Sequence, residues 1–382
     1  MAAPSSPGTQ TVFQRAAGFF KGETVLCAAW ILALLSALLV PPDWDYWDYI
    51  DWHTLGLLFS LMGVMAGLQG LGLFRYFGQS MLERTVTSRQ LETTLVFLPF
   101  FASMVVTNDV ALITFVPFAL EVLVLAGQQK RVIPVVVLQT IAANLGSMTT
   151  PIGNPQNLYL YSRYQLTLGD FFAAMLPLTL ASALLLALCT RVGRSAVLPS
   201  VWKDRPNPPP TSRRRLAMYA GLFLLSLEAV AKLVPVWAVA ALVLLGVLAS
   251  DRPVLKRIDW SLLLTFVGFF LFVGNLGRLD AFHTFVQSIL DHHETLCAVL
   301  ASQVISNVPA ALLLSGFTDQ GRALLVGTNL GGLGTLIASM ASLISYKQVA
   351  RAYPDRKGRY LLWFTAANVA FLAALLLLNA FL

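Results

Sequence analysis

Charge is what this 382-residue sequence has least of. Only 12% of its residues are Asp, Glu, Lys or Arg, about half of what a soluble domain carries. With 57% hydrophobic residues and a mean hydropathy of +0.71, there is too little polar surface to cover a water-soluble fold of this length. That excludes an ordinary cytosolic enzyme, a disordered chain and a nucleic-acid binder, the last in spite of a net charge of +7. Cysteine is scarce as well. Cys27, Cys189 and Cys297 lie far apart inside apolar stretches with no CxxC or Cys/His cluster, which argues against a disulfide framework or a thiolate metal site. The four histidines, His53, His283, His292 and His293, are too few and too loop-bound for a metal centre, and the His292-His293 pair reads as a solvated loop. No Ser/His pair, HExxH sequence or carboxylate dyad marks the motif regions described below, so neither an enzyme nor a resident cofactor is expected.

What the sequence has is long apolar runs. Stretches sufficient to cross about 30 Å of hydrocarbon fall at 25–41, 53–74, 170–190, 216–234, 235–250, 260–277 and 360–382. Three more apolar regions, 91–126, 131–162 and 294–346, are interrupted by Gly, Pro, Asn and Thr. The expectation is an all-α polytopic membrane protein with about ten spanning segments. Residues 1–24 lack a small-residue cleavage site before the first run and read as a cytoplasmic tail followed by an uncleaved span. The Pro-rich, basic stretch 191–215 reads as a cytoplasmic linker between two halves, 25–190 and 216–382.

The distribution of charge orients these spans. With the N-terminus inside, loops 1–24, 75–90, 127–131, 191–215, 251–259 and 347–359 are cytoplasmic and hold 22 of the 26 Lys and Arg residues. The opposite side keeps Arg163, Lys232, Arg278 and Arg322, and collects Asp43, Asp45, Asp48, Asp51, Asp280, Asp291, Glu294 and Asp319. This is the positive-inside pattern, so the +7 is a topology signal. The expectation is a multi-pass plasma-membrane protein with its N-terminus cytoplasmic and its C-terminus outside. The same topology requires 91–126 to enter from the inside and turn near Asn108, and 294–319 to enter from the outside and turn near Asn307. Both are then re-entrant hairpins, tolerated only where protein or water surrounds the broken backbone.

The halves also resemble each other. DWHTLGLLFSLMGVMAGLQGLGLF (51–74) parallels DWSLLLTFVGFFLFVGNLGRLDAF (259–282), and TNDVA (107–111) parallels SNVPA (306–310) at an offset of 199. ANLGSMTTPIGN (143–154) parallels TNLGGLGTLIAS (328–339) at an offset of 185. That register matches Asn144 with Asn329, Gly146 with Gly331, Thr150 with Thr335 and Tyr161 with Tyr346. Two copies of one unit with opposite loop charge are an inverted-topology repeat, which in transporters places the substrate site at mid-membrane where broken helices meet.

Four motifs carry the polar chemistry. The hairpin tips, Thr107-Asn108-Asp109 and Ser306-Asn307, offer amides and hydroxyls that satisfy the turning backbone and can also ligate Na⁺. The stretch from Asn144 to Pro155 has two prolines and two glycines, and its copy from Gly327 to Thr335 has four glycines, so neither continues as a regular helix. Freed carbonyls there suit a cation, and the positive N-termini of the half-helices that follow suit an anion. No Lys or Arg lies within the four motifs. Asp109 is their one acid, either the carrier of a coupling proton or the partner of a bound Na⁺, or else a structural carboxylate at a helix start. Two readings stand: a secondary transporter of a small anion coupled to Na⁺ or H⁺, and a Na⁺/H⁺ antiporter that uses Asp109.

On the stretch Asn144 to Asn157, with Thr107-Asn108-Asp109 and Ser306-Asn307, the sequence resembles the ion transporter superfamily of arsenite permeases, citrate-type permeases, divalent-anion/sodium symporters and certain sodium/proton antiporters. TNDVALITFVPF is most similar to the arsenite- and citrate-permease branch, and TPIGNPQNLYLY to bacterial anion transporters. The resemblance implies a scaffold plus a moving transport domain, an elevator-type mechanism and a homodimer in lipid. It further implies one cation site at Asn108, Asn144 and Gly146 and a second at Asn307, Asn329 and Gly331. Thr107, Asn108, Ser147, Thr149, Thr150, Asn154, Ser306, Asn307 and Thr335 would contact the anion. The symporters carry Ser-Asn-Thr at both tips, whereas this chain has Thr-Asn-Asp and Ser-Asn-Val. That departure counts against two-sodium dicarboxylate symport and gives weight to proton coupling through Asp109.

Overall fold

The computed structural model describes residues 23–83, 85–192, 195–198 and 212–382. Most of the expected N-terminal tail and of the expected central linker lie outside the described residues. What is described is almost entirely helical, with one isolated bridge between Thr87 and Val197 and no strand among the described residues. The first half contains α1 (Thr24–Leu39), α2 (Trp52–Gly70), α3 (Leu73–Leu82), α4 (Ser88–Ala102), α5 (Asn108–Leu125), α6 (Val132–Ser147), α7 (Pro155–Arg163) and α8 (Leu168–Arg191). The second contains α9 (Arg213–Val230), α10 (Val236–Ser250), α11 (Trp260–Gly277), α12 (Asp280–Leu290) and α13 (Glu294–Ile305). It continues with α14 (Asn307–Leu314), α15 (Gly321–Gly331), α16 (Met340–Ala352) and α17 (Lys357–Asn379).

Five of these are long and apolar enough to cross a membrane: α2, α5, α8, α11, and α17 with its preceding turn. α1 and α10 are apolar but shorter, and the regions 91–126, 131–162 and 294–346 are each divided into shorter helices at or near their Gly, Pro, Asn and Thr residues. The expected 91–126 hairpin is α4 and α5 around a break at 103–107, and the 294–319 hairpin is α13 and α14 around Ser306. The broken helices at 131–162 and 322–346 are α6 with α7 and α15 with α16. One expectation needs correcting. The stretch 75–90 is not a plain loop: α3 fills much of it, and α12 stands in the corresponding place after α11. Apolar Leu73, Phe74, Phe77, Met81 and Leu82 alternate at helical spacing with Arg75, Gln79 and Ser80, which favours a short amphipathic helix.

The chain divides into two compact units. In the smaller, 23–51 with 259–283, α1 packs on α11. Gly268 lets the backbones approach, since a Cβ there would lie 3.1 Å from the Ala29 Cβ. Asn275 Nδ2 donates to Ser36 Oγ at 3.0 Å and to the Tyr46 hydroxyl at 2.9 Å, and Arg278 donates to Asp43 at 2.5 Å.

The larger unit holds the rest. Here α2 packs on α9 and α10, with Gly67 against the ring of Tyr219, which is buried. Two groups of three mutually packed helices stand out: α4, α5 and α6, and α13, α14 and α15. Each group touches the half-helix of the other half, α5 against α16 and α14 against α7. Capping fixes where the elements begin. Thr87 and Gln90 form a capping box at α4, Thr167 and Asp170 form one at α8, and Thr107 accepts the Val110 N–H at α5.

Candidate functional site

The two broken helices come apart for legible reasons. After Ser147, Pro151 and Gly153 end α6, and the chain restarts at Pro155, a favoured first helical position. Asn154 caps the new helix by accepting the Asn157 N–H at 2.9 Å. In the second half α15 ends at Gly331, Gly334 takes φ +110°, and α16 starts after Ser339.

The loose ends are joined by a network of uncharged side chains. Asn108 Nδ2 donates to Asn144 Oδ1 at 2.9 Å, and Ser339 Oγ donates to the same oxygen at 3.1 Å. Asn144 Nδ2 reaches the Gly332 carbonyl and Ser342 Oγ, each at 3.4 Å. Asn154 Nδ2 donates to Asn329 Oδ1 at 3.0 Å and to Ser147 Oγ at 3.2 Å. Asn329 Nδ2 donates to Asn157 Oδ1 at 2.6 Å and to the Leu325 carbonyl at 2.7 Å. Asn157 Nδ2 in turn donates to the carbonyls of Ser147 and Thr150. Asn108, Asn144, Ser147, Asn154, Asn157, Asn329, Ser339 and Ser342 are all at most 5% exposed. Buried amides of this kind must be paired, and these are paired mainly with one another across the two halves.

These contacts recur in pairs that follow the sequence register. At an offset of 185, Asn144 corresponds to Asn329, Asn154 to Ser339 and Asn157 to Ser342. Ser339 on Asn144 therefore mirrors Asn154 on Asn329. Thr150 Oγ1 donates to the Met104 carbonyl, and Thr335 Oγ1 to that of Gln303, positions 199 apart. A Cβ on Gly146 would meet Ser103 Oγ at 2.6 Å, and one on Gly331 would meet Ser302 Oγ at 2.6 Å. At both tips the Asn Oδ1 accepts the next residue's N–H at 3.0 Å, Asp109 at one and Val308 at the other.

The electrostatics follow from the helix ends. The amino-terminal ends of α5, α7, α14 and α16 meet through this network: Asn108 and Ser339 share Asn144, Asn154 binds Asn329, and the Asn307 N–H donates to the Ala338 carbonyl at 3.0 Å. Each such end carries about half a positive charge. The carbonyl-bearing ends of α6 and α15 lie in the same place, so positive and negative backbone ends stand side by side with no ionised member in the network.

Not every residue singled out from the sequence joins this network. Asn108, Asn144, Ser147, Asn154 and Asn329 do. Thr149 faces α8 instead, donating to the Gly146 carbonyl at 2.7 Å and to Thr179 Oγ1 at 3.2 Å. Thr335 is exposed and bound to Gln303, while Thr150 is bound to the Met104 carbonyl. Thr107 caps α5, and the half-buried Asp109 sits in the first turn of that helix. Ser306 and Asn307 lie against Ala338, and Asn307 Nδ2 would be 3.0 Å from a Cβ on Gly332. Gly146 and Gly331 are explained by packing, since a Cβ on Gly146 would stand 2.0 Å from the Phe100 carbonyl oxygen. Residue type and motif alone do not single out Asn157, Ser339, Ser342 and Gln303 as site residues. The repeat register carried the signal for the first three.

The sequence is similar to those of known membrane proteins and transporters. Residues 21–319 match the family described as citrate transporter. The chain is similar to the inner membrane protein YbiR of Escherichia coli, 32% identical over 80% of this chain and 82% of that protein. It is also similar to an uncharacterized transporter of Methanocaldococcus jannaschii, 29% identical over 83% of this chain and 86% of that one. A silicon efflux transporter of rice is 33% identical over a shorter stretch, 41% of this chain and 34% of its own length.

Proposed function

The chain belongs to the citrate transporter family and is a membrane transporter, not an enzyme; on that premise we propose that it is a secondary active transporter of a small anion, coupled to Na⁺ or H⁺. One observation carries the reading. Four helix amino-termini converge on a buried network of Asn and Ser that contains no basic residue. Such ends attract an anion through backbone N–H groups and their dipoles, and the adjoining carbonyl ends suit the cation that offsets its charge. A carboxylate of the citrate or succinate type fits a site built from amides and hydroxyls. An arsenite-like oxyacid also fits the hydroxyls, and the rice relative's name, a silicon efflux transporter, points to a solute of that second kind.

In this reading the two halves are an inverted repeat. Residues 91–126 and 294–319 are re-entrant hairpins, and both belong to a transport domain that moves as an elevator in a homodimer. The paired contacts at offsets of 185 and 199 support the repeat, because several hydrogen bonds of one half recur at corresponding positions of the other. The chain would sit in a bacterial inner membrane with its N-terminus cytoplasmic. A thermal-shift panel on the purified protein tests the function, with citrate, succinate or arsenite, with and without Na⁺, between about pH 5.5 and 8.5. A bound solute at about 100 times its Kd stabilises the native state by about 2.7 kcal/mol. Stabilisation by an anion that requires Na⁺ or low pH is the expected result; no response to any of the three solutes counts against the assignment.

A second reading, a Na⁺/H⁺ antiporter on the same scaffold, is favoured by Asp109, the acid next to the residue whose amide binds Asn144. A pH-dependent effect of Na⁺ on the melting temperature without any anion favours the antiporter, and Asp109→Asn tests the role of the acid itself. Loss of the pH dependence of transport makes Asp109 the proton carrier, whereas an unchanged pH profile leaves it a helix-start carboxylate.

A further inference from the structure

α5, α7 and α9 end in the same way. At α5 the Gln128 N–H donates back to the Leu123 carbonyl at 2.7 Å. The Leu166 N–H reaches that of Tyr161 at 3.1 Å at the end of α7, and the Leu233 N–H that of Glu228 at 2.8 Å at the end of α9. This bond needs a left-handed residue just before the donor, a position where glycine is favoured. Gly127 fills it at α5 with φ +67°, but α7 uses Gln165 with φ +51° and α9 uses Lys232 with φ +63°. The two exceptions bind each other. Lys232 Nζ donates to Gln165 Oε1 at 2.7 Å and lies 5.6 Å from the centre of the Tyr161 ring, within cation–π range. Gln165 Nε2 donates to the Ser162 carbonyl at 2.7 Å, which leaves the amide oxygen for the lysine. Ser162 Oγ in turn shares a hydrogen bond of 3.1 Å with Nδ1 of His53, at the start of α2.

These ties join two parts of the larger unit. α7 is the half-helix whose amino-terminal end puts Asn154 and Asn157 into the buried network. α9 packs on α2 and α10, and α2 is also in contact with α7; none of these three helices supplies a residue to the network described above. With only nine residues, α7 moves as one piece, so a tie at its far end also holds the end that carries the asparagines. Lys232 is exposed and can release its partners without leaving a buried charge unpaired. A transporter uncovers its site to each side of the membrane in turn, as the part that carries the site moves against the rest. Resting on the transporter reading above, we propose that Lys232 and Gln165 form a latch that holds α7 against α2 and α9 and opens once in each transport cycle. The loop charges assign Lys232 to the outside, so the latch closes the external route to the site.

Thiol labelling of the purified full-length protein in detergent tests this without regard to sidedness. Ser162, only 5% exposed, is replaced by Cys in a parent chain whose Cys27, Cys189 and Cys297 are changed to Ser. Its rate of reaction with a maleimide then reports how often α7 leaves α2. Lys232→Gly and Gln165→Gly are each expected to speed labelling several-fold. The double variant is expected to do no more than either alone, because both break one contact. Glycine suits the left-handed position, so the melting temperature is not expected to fall, which sets release of the latch apart from local unfolding. Lys232→Arg keeps a donor and a cation and is expected to label as slowly as the parent chain. Unchanged labelling in the glycine variants, effects that multiply in the double variant, or faster labelling only with a lower melting temperature overturns the proposal. Labelling needs no solute, whereas the transporter reading is tested by the thermal response to citrate, succinate and arsenite, so the two fail separately.

Discussion

At the scale of single residues, the glycines and the amides do different work. Gly146 is held by the Phe100 carbonyl oxygen, 2.0 Å from where its Cβ would be. That neighbour is backbone, which cannot swing aside. Gly146→Ala is therefore expected to destabilise the protein by about 1–3 kcal/mol or more, read as a lower melting temperature or loss of monodisperse protein. Gly221, on an exposed face of α9, has nothing within 4 Å of its Cβ position. Gly221→Ala should be neutral, or stabilising by about 0.5–1 kcal/mol through helix propensity, and serves as the control. Residue types at the site were legible in the sequence, because Asn, Ser and Gly inside apolar runs need a reason. Their partners were less so. Thr149 and Thr335 stood in the same motifs as Asn144 and Asn329, yet the helix turn points them elsewhere, and side-chain direction is not readable from spacing in an unwound segment. Gln303 escaped notice because one amide in an apolar hairpin looks like an ordinary polar interruption until the carbonyls around it are placed.

At the scale of elements, the two hairpin tips are built alike but strained differently. Thr107 caps α5 with φ −67°, whereas Ser306 holds φ +74° and ψ 156°, a region populated almost only by glycine and costing about 1–3 kcal/mol for other residues. Ser306→Gly is expected to relieve that cost. Its melting temperature should rise while solute-dependent stabilisation weakens, because a hydroxyl at the tip is lost. A fall in melting temperature would mean that the hydroxyl's bonds to Asn307 and Ala338, both at 3.4 Å, outweigh the backbone strain. The breaks themselves were predictable, since Pro151, Gly153 and the four glycines between 327 and 334 cannot continue a helix. The short helices α3 and α12 were not, because ten or eleven amphipathic residues beside a long span read as the end of that span or as loop.

At the scale of the whole molecule, composition and charge placement carried furthest. Low charge excluded a soluble fold, and the five long apolar helices and the family match bear that out. The orientation drawn from the basic loops predicts an external C-terminus. A C-terminal alkaline phosphatase fusion should therefore be active and a fluorescent-protein fusion dark; the opposite pattern would invert the topology. The substrate was not legible, because a site made of helix ends and amides encodes charge and size but few distinguishing side chains.

Whether this network binds and moves a small anion is read from uptake of radiolabelled citrate or succinate into proteoliposomes under an imposed Na⁺ or proton gradient, comparing wild type with Asn144→Ala. Removing Asn144 takes a partner from Asn108, Ser339 and Ser342 at once, and buried groups left unpaired cost about 1–3 kcal/mol each. Gradient-driven uptake is expected of the wild type, and none of a variant that still reconstitutes as folded protein. Equal uptake by both, or no uptake of either carboxylate under either gradient, would contradict it.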